Sequence, residues 1–190
     1  LYYNGYNPVG SWGDAAEAFK PKTDFGDAPA SYDPAGNDPG THERNDSIRL
    51  GATIGIEWNK KPPFDATGDG AEEDAIAGIQ IIPTGISNFN VNADVYNNTG
   101  RNADLLAWID ANGNGLFDAT EGIAVTVPSS ALMQTITLTW TGINVLLPPS
   151  TTTYMRLRLA TADQGLNTSR PNGYADNGEI EDYQVSVVRV

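Results

Sequence analysis

One stretch carries both the residue types and the spacing for metal chemistry: Asp110-Ala-Asn-Gly-Asn-Gly-Leu-Phe-Asp-Ala-Thr-Glu121. Calcium takes six to eight oxygen ligands, and a twelve-residue loop offers them from its first, third, fifth, seventh, ninth and twelfth positions, with glycine at the sharp turn. Those positions hold Asp110, Asn112, Asn114, Leu116, Asp118 and Glu121, with Gly115 at the turn, and Leu116 would ligate through its backbone carbonyl. A plain turn between strands would account for the Asn-Gly pairs but not for an acid at the twelfth position. The spacing predicts a calcium site, with Ca2+ as the cofactor and no catalytic residues.

Other carboxylates are grouped as well. Asp24, Asp27, Asp69, Glu72, Glu73, Asp74, Asp176, Glu179, Glu181 and Asp182 form three acidic clusters far apart in sequence. Carboxylates brought side by side cannot all stay ionised without a cation. Asp24, Asp27, Asp69, Glu73, Glu179 and Asp182 are therefore candidates for a second calcium site, with solvated acidic loops as the alternative. The same groups could act as the acid and base of a glycosidase, a weaker reading because their separation is not legible in sequence. His42, the one histidine, has no Gly-x-Ser-x-Gly elbow to serve and reads as a surface-loop residue. Trp12, Trp58, Trp108 and Trp140 could stack on sugars, but Trp108 and Trp140 fall in strand patterns and read as core. Asn45, Asn97 and Asn167 sit in glycosylation-acceptor triplets, a pattern common by chance in such a chain.

The elements that must position the loop are strands. An EF-hand needs a helix on each side, yet residues 103–109 and 122–128 are β-branched and alternating, with Ile123, Val125 and Val127 on one face. That favours a structural ion over a switch. Further strands fit residues 47–58, 75–82, 89–96, 135–140, 154–160 and 183–190, and Met155, Leu157 and Leu159 alternate with Tyr154, Arg156 and Arg158 as in a strand with one buried face. About eight short strands joined by Gly, Pro, Asn and Asp turns predict an all-β fold, an antiparallel β-sandwich with a calcium loop between strands. Residues 1–22 stand apart as an N-terminal arm, with Tyr2, Tyr3, Tyr6 and Trp12 crowded among Gly and Asn. A segment so aromatic is expected to pack on its own body or on a neighbour.

Composition limits the partners. The net charge of −13 argues against nucleic acid and anionic membrane surfaces, and no apolar run approaches the roughly 20 residues that span a bilayer. With no cysteine, disulfides and thiolate metal sites are excluded. The absence of cysteine, the 20 Gly and 12 Pro, and a calcium site that needs millimolar ion together fit a secreted bacterial protein.

Three segments together, Asp24-Phe-Gly-Asp-Ala-Pro-Ala-Ser-Tyr32, Trp108-Ile-Asp-Ala-Asn-Gly-Asn-Gly-Leu-Phe117 and Gly178-Glu-Ile-Glu-Asp-Tyr183, resemble the GEVED domain of bacterial secreted and cell-surface proteins, with Ile180 where the motif has Val. The resemblance runs over residues 23–190, leaving residues 1–22 outside it. It implies a β-sandwich accessory module of adhesins and multidomain hydrolases, without catalytic activity of its own. The expected role is a calcium-stabilised structural or adhesive module, self-associating through residues 1–22 into a surface fibre or layer. The alternative is a carbohydrate-binding accessory module of a secreted hydrolase, taking surface glycans.

Overall fold

The computed structural model describes residues 23–34, 38–55, 57, 60, 62, 64–67, 74–78 and 80–189. The arm of residues 1–22 lies outside them, as do Trp12, Trp58, Asp69, Glu72 and Glu73.

Among the described residues the fold is all-β, with eleven strands and no α-helix: β1 (Thr23–Phe25), β2 (Thr41–Glu43), β3 (Ile48–Leu50), β4 (Gln80–Pro83), β5 (Asn88–Asn97), β6 (Ala103–Ile109), β7 (Gly122–Val127), β8 (Gln134–Thr141), β9 (Thr152–Thr161), β10 (Tyr174–Ala175) and β11 (Glu179–Val188). They form three sheets, in the orders β4-β11-β9-β6-β7, β3-β5-β8 and β1-β2-β10. The strand count therefore exceeds the eight expected, and the sheets are not purely antiparallel, because β4 runs parallel to β11 and β10 parallel to β2.

Two apolar clusters follow from strand alternation. The larger joins Ile48, Leu50, Val95, Leu138 and Trp140 of the β3-β5-β8 sheet to Leu105, Met155, Leu157, Leu159, Val185 and Val187 of the five-stranded sheet. Trp108 and Trp140 are both buried, as their strand positions predict. The smaller cluster lies on the other face of the five-stranded sheet, where Leu106, Trp108 and Ala160 meet Ala28, Tyr32, Phe117 and Leu166.

That second covered face corrects the reading of β9 as a strand with one buried side. Tyr154, Arg156 and Arg158 do alternate with the core residues, but Arg156 and Arg158 are both 0% exposed. The β1-β2-β10 sheet and three loops cover them. Strands β1, β2 and β10 have two or three residues each and little apolar periodicity, which is why the pattern of residues does not reveal them. His42 belongs to β2 and is fully buried, not a surface-loop residue. Its Nδ1–H donates to the Asn177 carbonyl at 2.9 Å, and Nε2 accepts from Arg158 Nε at 2.9 Å. Burial, then the neighbouring Arg158 charge, holds its pKa well below the usual imidazole value, so the ring stays neutral.

Candidate functional site

The loop from Asp110 to Glu121 joins β6 to β7, strand to strand as the sequence predicts, with a single 3-10 turn at Ala119–Glu121 before β7. Its curl is built from its own side chains. Asp110 Oδ1 accepts the N–H of Gly113 at 2.6 Å and of Asn114 at 3.2 Å, while Oδ2 accepts Gly115 N–H at 2.9 Å and the Tyr32 hydroxyl at 2.7 Å. Asn112 Oδ1 accepts Asn114 N–H and Asn114 Oδ1 accepts Leu116 N–H, two successive Asx turns. Gly113 and Gly115 take φ of +75° and +78°, which allows the tight bend.

Two amides converge on one carboxylate. Asn112 Nδ2 and Asn114 Nδ2 lie 2.9 and 2.8 Å from Asp118 Oδ2, bringing the third, fifth and ninth positions of the loop together. Glu121 closes the loop from below, its Oε1 accepting Ala111 N–H at 2.9 Å and Asn112 N–H at 3.1 Å. Burial pushes the Glu121 carboxyl up to about 7, and the Asp110 charge adds to the rise against those backbone donors. The donor set is all oxygen and therefore suits a hard cation. In this geometry the carboxylates of Asp110, Asp118 and Glu121 are engaged by N–H and O–H donors, and among the described residues no three Asp, Glu or His side chains are gathered closely enough to hold a metal ion. The loop is pinned to the body at both ends, by Thr153 Oγ1 donating to Asp110 O at 2.6 Å and by Trp140 Nε1 donating to Glu121 O at 2.9 Å.

The second candidate set is dispersed. Asp69 and Glu73 lie outside the described residues. Glu179 and Asp182 both belong to β11, but three residues apart on a strand they face opposite ways. Glu179 Oε2 accepts Leu50 N–H at 2.5 Å on the side of the larger core. Asp182 accepts Arg156 Nε at 2.7 Å and Nη2 at 2.8 Å, together with Ala28 N–H at 2.7 Å, on the other. The cation that Asp182 meets is a guanidinium. Asp24 Oδ2 accepts Ile180 N–H at 2.8 Å, and Asp27 is buried at the same edge. Glu181 accepts Ala75 N–H at 3.0 Å and the Tyr183 hydroxyl, and burial, with Asp24 and Asp74 adding, holds its carboxyl well above the usual range.

The segment Gly178-Glu-Ile-Glu-Asp182 is thus the end of a buried strand whose carboxylates hold other parts of the chain. Runs of acids usually mark solvated loops, which is why this one does not read as a strand. Gly178 has φ +99°, and a Cβ there would fall far inside van der Waals contact distance of the Leu159 carbonyl oxygen. Gly26 packs so tightly that a Cβ would come within 2.7 Å of Arg156 Nη2 and Asp182 Oδ2.

Arg156 is the hub that the sequence did not single out. Besides Asp182, its Nη1 reaches Asp33 Oδ1 at 2.9 Å, Pro171 O at 3.3 Å and Asn172 Oδ1, and its Cζ lies 5.0 Å from the Phe117 ring centroid. Burial alone would lower its pKa, but the Asp182 and Asp33 charges more than offset this and keep it charged. Arg158 holds the same loop from beneath, donating to the carbonyls of Arg170, Asn172 and Gly173 at 2.6–2.9 Å. The loops that meet at Arg156 form an open cavity of about 580 Å³, lined by Tyr32, Pro34 and Asp38, by Leu116 to Ala119, and by Ser169 to Gly173. Tyr32 packs at 4.5 Å from Phe117 and 5.2 Å from Tyr154, ring centroid to ring centroid.

Residues 104–186 match the family model described as the GEVED domain. The match takes in the 110–121 loop, Arg156 and the Gly178–Asp182 segment; the strands before β6 lie outside it, so it is narrower than the resemblance over residues 23–190. No curated protein matches the chain.

Proposed function

We propose, from residues 104–186 being a GEVED domain, that the chain is a non-catalytic, calcium-stabilised structural or adhesive module of an exported bacterial protein, associating with further copies through residues 1–22. The observation that carries this reading is the use made of the acids. Glu179, Asp182, Asp24, Asp110 and Glu121 all accept backbone N–H groups, so the carboxylates are committed to holding the chain.

The loop supports calcium by its donor chemistry: Asp110, Asn112, Asn114, Asp118 and Glu121 offer side-chain oxygens, and Leu116 a carbonyl, on one tight turn. Each oxygen has a second lone pair after accepting one N–H. Bound calcium would supply positive charge to Asp118 in place of the two amide donors, and to the half-neutralised Glu121. Extracellular modules bind with dissociation constants of roughly 10⁻⁴ to 10⁻³ M, so millimolar calcium adds about 1.4 kcal/mol at the tight end of that range. For a domain of this size that is an expected rise of about 3–6 °C in melting temperature. Asp110→Ala is a poor probe, because Asp110 also accepts four hydrogen bonds that fold the loop. Asp118→Ala is the better one: it should abolish the calcium increment and change melting in chelator little. Identical melting of the native chain with calcium and with chelator would refute the calcium reading.

A pH prediction follows from Glu121. Its folded pKa of about 7 lies above the unfolded value of about 4.5, so the folded chain holds its proton more tightly. The contribution is fully present below pH 4.5 and lost as pH rises through 7. Calcium favours the ionised form and removes this loss. In chelator, urea midpoints should therefore fall between pH 5 and 7.5, and in millimolar calcium this fall should be smaller. A fall of equal size in both conditions contradicts the assignment.

A further inference from the structure

The cavity around which Arg156 gathers three loops has a chemical character of its own. Leu116, 38% exposed, lines it together with Pro34 and Pro171 and with the buried rings of Tyr32 and Phe117. Two carboxylates, Asp38 and Asp118, stand at its rim. At about 580 Å³ it lies within the 300–1,000 Å³ range of ligand pockets. Apolar walls with acceptors at the mouth suit tyrosine, whose ring can be buried while its hydroxyl donates outward.

We propose that this cavity receives the aromatic head of the arm, residues 1–12, from a neighbouring copy. The inference rests on the self-association reading above and assigns its receiving site. The arm ends at Lys22, next to Thr23, the first residue of β1. Residues 1–12 contain Tyr2, Tyr3, Tyr6 and Trp12 and not one charged side chain, whereas Asp14, Glu17, Lys20 and Lys22 follow in the segment next to β1. The own cavity is close: Phe25, at the far end of β1, pairs with Thr41, three residues from the rim residue Asp38. Tyr6 precedes Thr23 by 17 residues, 23 minus 6, a reach of up to about 56–61 Å. That length is enough to span to a next molecule as well as to the own cavity, and the reading of residues 1–22 as a self-associating arm selects the former. One arm and one cavity per copy make a heterologous contact, which propagates head to tail.

The chain contains no cysteine, so introduced thiols report without background. The test uses full chains carrying Asn4→Cys in the arm, Ser169→Cys at the exposed rim, or Thr139→Cys on the exposed face of β8 as a distant control. Under mild oxidation, mixing Asn4→Cys with Ser169→Cys should give a covalent dimer at least about tenfold faster than mixing it with the control, because docking raises the effective concentration of the thiol pair. The double variant Asn4→Cys, Ser169→Cys should give covalent chains of more than two copies. Closure of the double variant on itself as a monomer overturns the proposal in favour of docking within one copy. Equal rates with the control, in a native chain that still self-associates, overturn the cavity assignment alone. A native chain that sediments as a monomer at every concentration overturns both this inference and the reading it rests on.

Discussion

Replacing Arg156 by alanine is expected to lower the stability of the fold by about 3–5 kcal/mol, the usual cost of removing one partner of a buried ion pair. The side chain is 0% exposed and holds Asp182, Asp33, Pro171 and Asn172 at once. Without it, Asp182 keeps only the Ala28 N–H, and the loops around the cavity lose their common anchor. Asp33 retains its contact with Lys60 at 2.6 Å, so the larger part of the penalty falls on Asp182. In a domain of this size the melting temperature should drop by about 6–20 °C. The double variant Arg156→Met, Asp182→Leu distinguishes charge from shape. An apolar replacement of both partners removes the orphaned carboxylate and should recover part of the loss. If Arg156→Ala melts with the native chain, the hub has been assigned too much weight.

Gly178→Ala is the second large effect. The residue sits at φ +99°, where a side chain is strained by about 1–3 kcal/mol. The added methyl would also overlap the Leu159 carbonyl oxygen, part of the backbone of β9, which cannot move without disturbing its pairing with β6 and β11. Overpacking of that kind adds about 1–3 kcal/mol, so a total of about 2–6 kcal/mol is expected. Ala substitution at Gly142, which has φ +75° but nothing within 4 Å, isolates the conformational part. The difference between the two urea midpoints measures the clash, and no difference would mean that β9 yields freely.

The residues that declared themselves in sequence did so through periodicity or through fixed spacing. Alternation in 103–109, 123–127, 135–140 and 154–160 located β6 to β9 to within a residue or two of their ends, because at least one face of each packs on a continuous core. The 110–121 loop was legible as a tight strand-to-strand connection because Asp, Asn and Gly at alternate positions build successive Asx turns. The second covered face was not. It is held by Arg156, Arg158, His42 and Asp182, residues whose burial is unfavourable unless each finds a partner, and a sequence does not show its partners. The same holds for Glu179 and Glu181, whose cluster reads as cation ligands or as a solvated loop and which are within 4% of complete burial.

The place of β11 in the sheet sets the order of events in folding. Although it is the last of the described strands, it lies between β4 and β9, and its motif bonds back to Ala28 and Asp24 across 154 and 156 residues. Neither the face under β1 and β2 nor the seat of β4 can close until β11 is present. Such a high contact order makes folding slow and leaves a chain still emerging from the ribosome without a nucleus on this side.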